Sequence, residues 1–157
     1  MVYFDWNATA PLLPEAREAW LEAAETGWAN PSTPYRAGAR ARLQLDEARE
    51  RMAALLGVQP ERVVFTSGAT EANNGILREA LRRAPAGSGI WVSAVEHPSI
   101  LETARELAGE RLREIPVDAA GRIDLQWLED HLRAGPPALV SVMAASNETG
   151  VVQPWEE

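Results

Sequence analysis

Hydrophobic and polar positions alternate along this chain between short apolar runs and longer segments whose apolar residues recur at helical spacing. A short β-like run covers Val2 to Asp5, and Pro14 suits the first turn of a helix. Gly57 suits the left-handed residue that ends a second, longer helix. The predicted apolar faces consist of Ala16, Ala19, Trp20 and Ala23 in the first helix, and Ala41, Leu45, Ala48, Met52 and Leu55 in the second.

Strands and helices then alternate regularly from position 62 onwards. The predicted helices lie at about 69–83, after Pro98, and after Asp124, whose carboxylate suits the capping position. The alternation predicts an α/β fold, with a mostly parallel sheet and helices on both faces. The predicted strands are 62–66, 90–94, "RLREIPV" at 111–117 and "PALVSVMAA" at 137–145, the last of them buried on both faces.

Composition narrows the class of protein and its partners. The chain has 157 residues, 46% of them hydrophobic, which is enough for one domain with a core. No apolar stretch approaches the roughly 20 residues that span a bilayer, and the start lacks a signal-peptide layout, so we expect a cytoplasmic protein without a membrane segment. The net charge of -8 and scattered cations argue against nucleic-acid binding and favour small molecules or proteins as partners.

Two residue types are missing. The chain contains no cysteine, which excludes disulfides, thiolate metal sites and a cysteine nucleophile within it. All 15 cationic residues are arginine, whose guanidinium cannot act as a Schiff-base amine. An arginine-favouring composition explains the missing lysines without any functional cause, but the chemical consequence is the same.

The segment "VVQPWEE" at the carboxyl end predicts the beginning of a helix. Pro154 suits the first helical position, and Glu156 and Glu157 suit the positive end of a helix dipole. We therefore expect the sequence to be part of a larger fold, the alternative being a frayed acidic tail.

Three strand ends carry groups that could bind a ligand at the edge where strand carboxyl ends meet. Gly68, Ala69 and Thr70 would offer helix-start amides and a hydroxyl to an anion such as phosphate, although a merely capped helix fits the spacing too. His97 could stack on an aromatic ring or move a proton, or be an ordinary surface residue. Asn147 could bind a ligand through its amide, or form an Asx turn with Gly150. Their positions predict one shared crevice.

Six motifs in their order and spacing resemble the cysteine desulfurases, within the class V aminotransferase group of pyridoxal 5′-phosphate (PLP) enzymes of fold type I. The resemblance implies the amino-terminal portion of the PLP-binding large domain, with an amino-terminal segment at 1–30 and a sheet core at 60–157. The motifs are "YFDWNATAPLLPEA" at 3–16, "NPSTPYRAG" at 30–38, "VVFTSGATEANN" at 63–74, "VEHPSI" at 95–100, "GRIDL" at 121–125 and "SNETGVVQP" at 146–154.

The resemblance also implies roles for matching residues. The Gly68 turn, with Ala69 and Thr70, would bind the PLP phosphate. His97 would stack on the pyridine ring and assist proton transfers, and Asn147 would hydrogen-bond the ring's phenolic oxygen. L-Cysteine would be the substrate, and sulfur would pass to an enzyme cysteine as a persulfide and on to acceptor proteins, as in iron–sulfur cluster assembly.

Departures from the family pattern limit what this chain is expected to do alone. The family's Schiff-base lysine, the aspartate facing the pyridine nitrogen and the persulfide cysteine all lie beyond the point that matches Glu157, and Tyr35 replaces a histidine common in relatives. We expect weak PLP binding, no persulfide formation, and a need for a complementing carboxyl-terminal polypeptide, a homodimer partner or both. The alternatives are a related PLP lyase, epimerase or aminotransferase, and a non-catalytic binding or assembly module.

Overall fold

A computed structural model describes residues 2–155, which form two compact units. One unit is Ala10–Phe65, and the other comprises the chain through Thr9 and from Thr66 onwards. The predicted helix start at Glu156 and Glu157 lies outside the described residues. No helix among residues 2–155 is long and apolar enough to cross a membrane.

The unit Ala10–Phe65 contains the two predicted helices, α1 (Pro14–Thr26) and α2 (Arg36–Leu56). Pro14 is the first residue of α1, as predicted from its fixed φ and missing amide hydrogen. Gly57 ends α2 at φ 65°, a left-handed conformation that favours glycine, and its amide donates to backbone carbonyls of the last turn. Both helix boundaries are therefore confirmed.

Two predicted extended runs do not form strands. Val63 is extended, but residues 63–66 belong to no strand, after a short 3₁₀ turn at Pro60–Arg62, and the run from Val2 to Asp5 is irregular. Val64 is 79% exposed, so this apolar run is not buried as a sheet strand would be. Apolar composition favours a strand, but only a neighbouring strand supplies the ladder hydrogen bonds that hold one. The prediction of a strand at 62–66 is wrong.

The other unit contains a three-stranded parallel sheet, as predicted. Strand β1 lies between β2 and β3, with Ile90 paired to Leu112 on one side and to Leu139 on the other. The elements in chain order are α3 (Ala69–Arg83), β1 (Ile90–Ser93), α4 (Pro98–Ala108), β2 (Leu112–Ile115), α5 (Leu125–Ala134) and β3 (Leu139–Ser141). Asp124 caps α5 by accepting a hydrogen bond from the Trp127 amide at 2.9 Å, which confirms that capping prediction.

Helices cover both faces of the sheet, because successive β1 side chains point in opposite directions. Ile90 and Val92 pack against α3 and α4, in a cluster with Leu77, Ala104 and Ala108. Trp91 packs on the opposite face with Ile115, Ile123 and apolar residues of α5. The predicted strand at 137–145 is shorter in the structure, and β3 is half-buried rather than fully buried, since it pairs only with β1 among the described strands.

Ser93 at the end of β1 is fully buried, and its hydroxyl has no hydrogen-bond partner among residues 2–155. A buried hydroxyl without a partner costs about 1–3 kcal/mol of stability. We therefore expect Ser93→Ala to raise the free energy of unfolding by about 1 kcal/mol, after allowance for a small lost packing contact. Urea unfolding of the 157-residue chain measures this difference.

Ser141→Ala is the matched control, because the Ser141 hydroxyl lies on neighbouring β3 and donates to Glu96 at 3.3 Å. Its removal should leave stability unchanged or lower it. Easier unfolding of Ser93→Ala than of the wild-type chain would contradict the expectation.

Candidate functional site

The start of α3 presents unpaired amides to open space. Gly68 precedes the helix in an extended conformation and provides no side-chain cap. A Cβ added at Gly68 would meet no other atom of residues 2–155 within 4 Å, so a group beside Gly68 would not be obstructed. The first amides of a helix have no intrahelical partner and lie at the positive end of its dipole. Ala69 and Thr70 follow in the first turn, and both are exposed.

Glu71, in the first turn of α3, binds Ser67, which lies just before the helix. One oxygen of its carboxylate, Oε2, accepts hydrogen bonds from the Ser67 amide and the Ser67 hydroxyl, both at 2.7 Å. These bonds, the amide first, lower the pKa of the Glu71 carboxyl below its ordinary value. Because the carboxylate engages Ser67 and not the first helical residues, the helix-start amides stay available to a ligand.

His97 sits at the start of α4 and caps it. Its Nδ1 accepts a hydrogen bond from the Ser99 amide at 3.1 Å and lies 2.8 Å from the Ser99 hydroxyl oxygen. The side chain is exposed, so Nε2 is free to meet a ligand. His97 is therefore held at Nδ1, unlike an ordinary surface histidine.

A hydrogen bond between α3 and α4 brings two of the three predicted groups together. Asn73 Nδ2 donates to the Ser99 hydroxyl oxygen at 2.9 Å. Asn73 lies one helical turn after Thr70, and Ser99 lies two residues after His97. The two helices whose starts carry the phosphate-binding candidate and the imidazole are thus joined by one hydrogen bond.

Glu96 connects the His97 loop to the carboxyl end of β3. Its carboxylate accepts hydrogen bonds from the His97 amide and from the Ser141 hydroxyl, each at 3.3 Å. Burial raises the pKa of the Glu96 carboxyl above its ordinary value of 4.5, against the opposing effect of hydrogen bonds from His97, Ser141 and the Met143 amide. Glu96 therefore positions the backbone on which His97 sits.

A Glu96→Gln variant should change how stability depends on pH. Because burial raises the folded-state pKa of Glu96 above its unfolded value of about 4.5, the folded chain holds this proton more tightly than the unfolded chain. The destabilising effect of the buried carboxylate is therefore present above the folded-state pKa and is lost as the pH falls towards 4.5. The variant's stability relative to wild type should rise from pH 4.5 to neutral pH, as measured by urea unfolding.

Glu106→Gln is the control, since it removes one exposed carboxylate from α4 and reports the effect of net charge alone. If the Glu96→Gln difference did not grow with pH, or grew no more than the Glu106→Gln difference, the assigned effect of burial would be wrong.

Asn147 lies in a turn after β3, and its side chain is engaged by the amino-terminal segment. Its Nδ2 donates to Asp5 Oδ1 at 3.3 Å. The turn itself is held by the Ser146 hydroxyl, which accepts hydrogen bonds from the Glu148 and Thr149 amides, and by the Gly150 amide, which donates to the Ser146 carbonyl. The alternative of an Asx turn formed by Asn147 is therefore wrong. An amide nitrogen has two hydrogens, so one donor remains for a ligand.

The convergence of all three groups on one crevice stays a prediction, because the hydrogen bonds of the described residues join α3 to His97 but lead from Asn147 to Asp5. Sequence reasoning missed the residues that hold these groups. Ser99 carried a signal, since a hydroxyl two residues after a capping position falls within reach of it. The sequence gives no signal for Asn73 or Asp5, because their hydrogen-bond partners are distant in the chain.

The residues present fit a phosphate-bearing aromatic coenzyme. Open helix-start amides suit a phosphate, and an exposed imidazole held at one nitrogen suits a planar ring. Among residues 2–155 no group of three or more histidine, aspartate and glutamate side chains could hold a metal ion. A separate cavity of about 400 Å³, lined by Gly89, Arg111 and Pro137, lies at the amino ends of the strands, away from these groups.

Known proteins resemble this chain along almost its whole length. The aminotransferase class-V family model matches residues 2–157. A selenocysteine lyase from Bos taurus is 38% identical over 99% of this chain and 40% of its own length. A cysteine desulfurase from Archaeoglobus fulgidus is 38% identical over the whole chain and 42% of its own length. A solved NifS-like protein superimposes with a TM-score of 0.84 at 35% identity, over 99% of this chain and 43% of that one. The chain thus spans about two fifths of the relatives it matches.

Proposed function

Because the chain belongs to the class-V aminotransferase family, we propose that it is the amino-terminal part of a PLP-dependent cysteine desulfurase. The complete assembly would convert L-cysteine to L-alanine and pass the sulfur to an enzyme cysteine as a persulfide. The cysteine desulfurase among its relatives supports this choice, as does the NifS-like fold. Since the chain holds no lysine and no cysteine, we propose that it is inactive alone and needs a complementing polypeptide that carries both.

The observation that carries the proposal is the link from α3 to His97. Asn73 Nδ2 donates to Ser99, and Ser99 holds His97 Nδ1, so the helix that carries the proposed anion site is bonded to the helix that His97 caps. An isolated helix start or an isolated histidine has many ordinary explanations. Their connection suits a coenzyme whose phosphate binds the α3 start while its ring stacks on the imidazole.

Each candidate site residue then has a proposed role in binding the coenzyme or in the reaction. The amides at Gly68 and Ala69, with the Thr70 hydroxyl, would bind the phosphate. His97 would stack on the ring and donate or move a proton at Nε2, and the second amide hydrogen of Asn147 would bind the ring oxygen. PLP, when bound, supplies an electron sink for bond cleavage at the substrate's α-carbon.

Exposed apolar side chains support association with other polypeptides. Trp28 is 77% exposed, Leu55 is 84% exposed and Trp155 is 68% exposed. Leu56, next to Leu55, is 62% exposed, and adjoining exposed apolar side chains are typical of surfaces that another polypeptide covers. We propose that a complementing carboxyl-terminal polypeptide, a homodimer partner or both associate with this chain in a cytoplasmic assembly, and that acceptor proteins take the sulfur.

The selenocysteine lyase among the relatives favours a second candidate, a PLP lyase that acts on the selenium analogue of cysteine. The two candidates share the phosphate turn and His97, so they differ in substrate choice and not in coenzyme.

Reconstitution tests the proposal. The 157-residue chain is mixed with a polypeptide that contains the family's lysine and cysteine, then with PLP, a thiol reductant that releases persulfide sulfur as sulfide, and either L-cysteine or L-selenocysteine. Sulfide and alanine from cysteine would support a desulfurase, and preference for selenocysteine would support the lyase. No product from either substrate, with a complement that is active beside another family member's amino-terminal half, would favour a non-catalytic module.

A further inference from the structure

We propose that Asn73 and Ser99 act as positioning residues that fix His97 in the tautomer with its proton on Nε2. The ring then offers an N–H donor at Nε2 and holds no free lone pair there. The functional meaning of this donor rests on the proposed function, whereas the tautomer itself is a property of this chain.

The Ser99 amide sets the protonation of His97 Nδ1. A backbone N–H only donates, and it lies 3.1 Å from Nδ1, so Nδ1 must present its lone pair. A neutral imidazole with a bare Nδ1 carries its hydrogen on Nε2. This hydrogen bond is also the amino-terminal cap of α4, so a proton on Nδ1 would remove the cap.

Asn73 and the Ser99 hydroxyl reinforce the same tautomer. Asn73 Nδ2 donates to Ser99 Oγ at 2.9 Å, which leaves the hydroxyl hydrogen free to point at His97 Nδ1, 2.8 Å away. The hydrogen bonds thus run in one direction, from Asn73 through Ser99 to His97. An acceptor in place of the Asn73 amide would draw the hydroxyl hydrogen away and reverse that direction.

The consequence concerns what His97 can do with a proton. With Nδ1 engaged by Ser99, the neutral ring offers a bound substrate a hydrogen-bond donor at Nε2 and cannot accept a proton there. The adjacent Glu96 carboxylate accepts from the His97 amide, and no hydrogen bond joins it to the imidazole nitrogens among residues 2–155. His97 therefore acts first through its Nε2–H group, and it can give up that proton once Nδ1 takes up another, at the cost of the hydrogen bonds from Ser99.

His131 supplies an internal reference with the opposite tautomer. Its Nδ1 lies 2.7 Å from the Trp127 carbonyl oxygen, and a carbonyl only accepts, so this nitrogen carries the hydrogen. The chain has two histidines, and the structure assigns them opposite tautomers.

Long-range ¹H–¹⁵N NMR spectra of the 157-residue chain without coenzyme test this directly, because bare and protonated ring nitrogens resonate far apart. At a pH where both rings are neutral, we expect His97 to show a bare Nδ1 and His131 a protonated one, each favoured about tenfold or more. A His131→Gln variant assigns the two sets of signals. Asn73→Asp and Ser99→Ala should move the two ¹⁵N shifts of His97 towards each other.

Asn74→Asp is the matched control, since it adds the same charge at the next position, where the side chain bonds the Thr70 carbonyl and not Ser99. It should leave the His97 shifts at their wild-type values. A protonated Nδ1 on His97 in the wild-type chain would overturn the proposal, as would an Asn73→Asp spectrum that matches Asn74→Asp. The NMR samples contain no coenzyme, so a wrong tautomer assignment would not contradict the desulfurase proposal. In turn, a reconstitution without product would not contradict the tautomer assignment.

Discussion

A Gly68→Asp variant is expected to bind PLP about tenfold more weakly than the wild-type chain, or weaker still, while helix α3 stays intact. Aspartate is a strong helix cap, and the space in front of Gly68 is open, so its side chain fits without a clash. The same carboxylate would occupy the first-turn amides and repel a phosphate. A hydrogen bond to a charged group contributes about 1.5–3 kcal/mol, and about 1.4 kcal/mol corresponds to tenfold in affinity.

Equilibrium dialysis of the 157-residue chain against PLP measures this loss, with circular dichroism to confirm the helix. Gly75→Asp is the matched control, because Gly75 is exposed on the same helix, also faces open space, and lies away from the first-turn amides. It adds the same charge and should keep most of the affinity. Equal affinities for the Gly68→Asp and Gly75→Asp chains would show that the phosphate does not bind at the α3 start.

A His97→Asn variant should lower the rate of alanine formation by the reconstituted assembly by about 100-fold to 10,000-fold, the range for loss of a proton-transfer group. Asparagine is chosen because it caps helices well, so α4 keeps its cap while the imidazole is lost. The fall should appear in kcat, since the ring acts after the substrate is bound. Sulfide release measured in parallel gives an independent readout.

His131→Gln is the control for this experiment, because it removes the other histidine, which stacks on Trp127 at a ring distance of 3.8 Å. It should lower stability slightly and leave the rate near wild type. A His97→Asn assembly that folds and turns over cysteine at the wild-type rate would remove His97 from the chemistry and leave it as a helix cap.

Local signals in the sequence placed most of the helices correctly. Pro14, Gly57 and Asp124 each act through contacts within about one helical turn, so the residue type alone predicts the boundary. The prediction of a strand at 62–66 is wrong because a strand depends on a distant partner. Three apolar residues are equally compatible with a strand and with an exposed segment outside any sheet.

Within the candidate site, the residue types of Gly68, Thr70, His97 and Asn147 suggested their chemistry, but not their partners. Asn147 bonds Asp5 across 142 positions, and Asn73 bonds Ser99 across 26. No periodicity reports such pairs, because they depend on where the sheet brings distant segments together. Glu96 is a further case, since its raised pKa follows from burial, which the sequence does not show.

The sequence by itself determined the α/β class, the helix starts that expose amides, and the family to which the motifs belong, because these depend on spacing and on nearest neighbours. Only the tertiary structure decided which strands form, which nitrogen of His97 is held, and that the starts of α3 and α4 meet. Those outcomes rest on hydrogen bonds and burial between segments far apart in the chain, and their geometry exists only once the chain has folded.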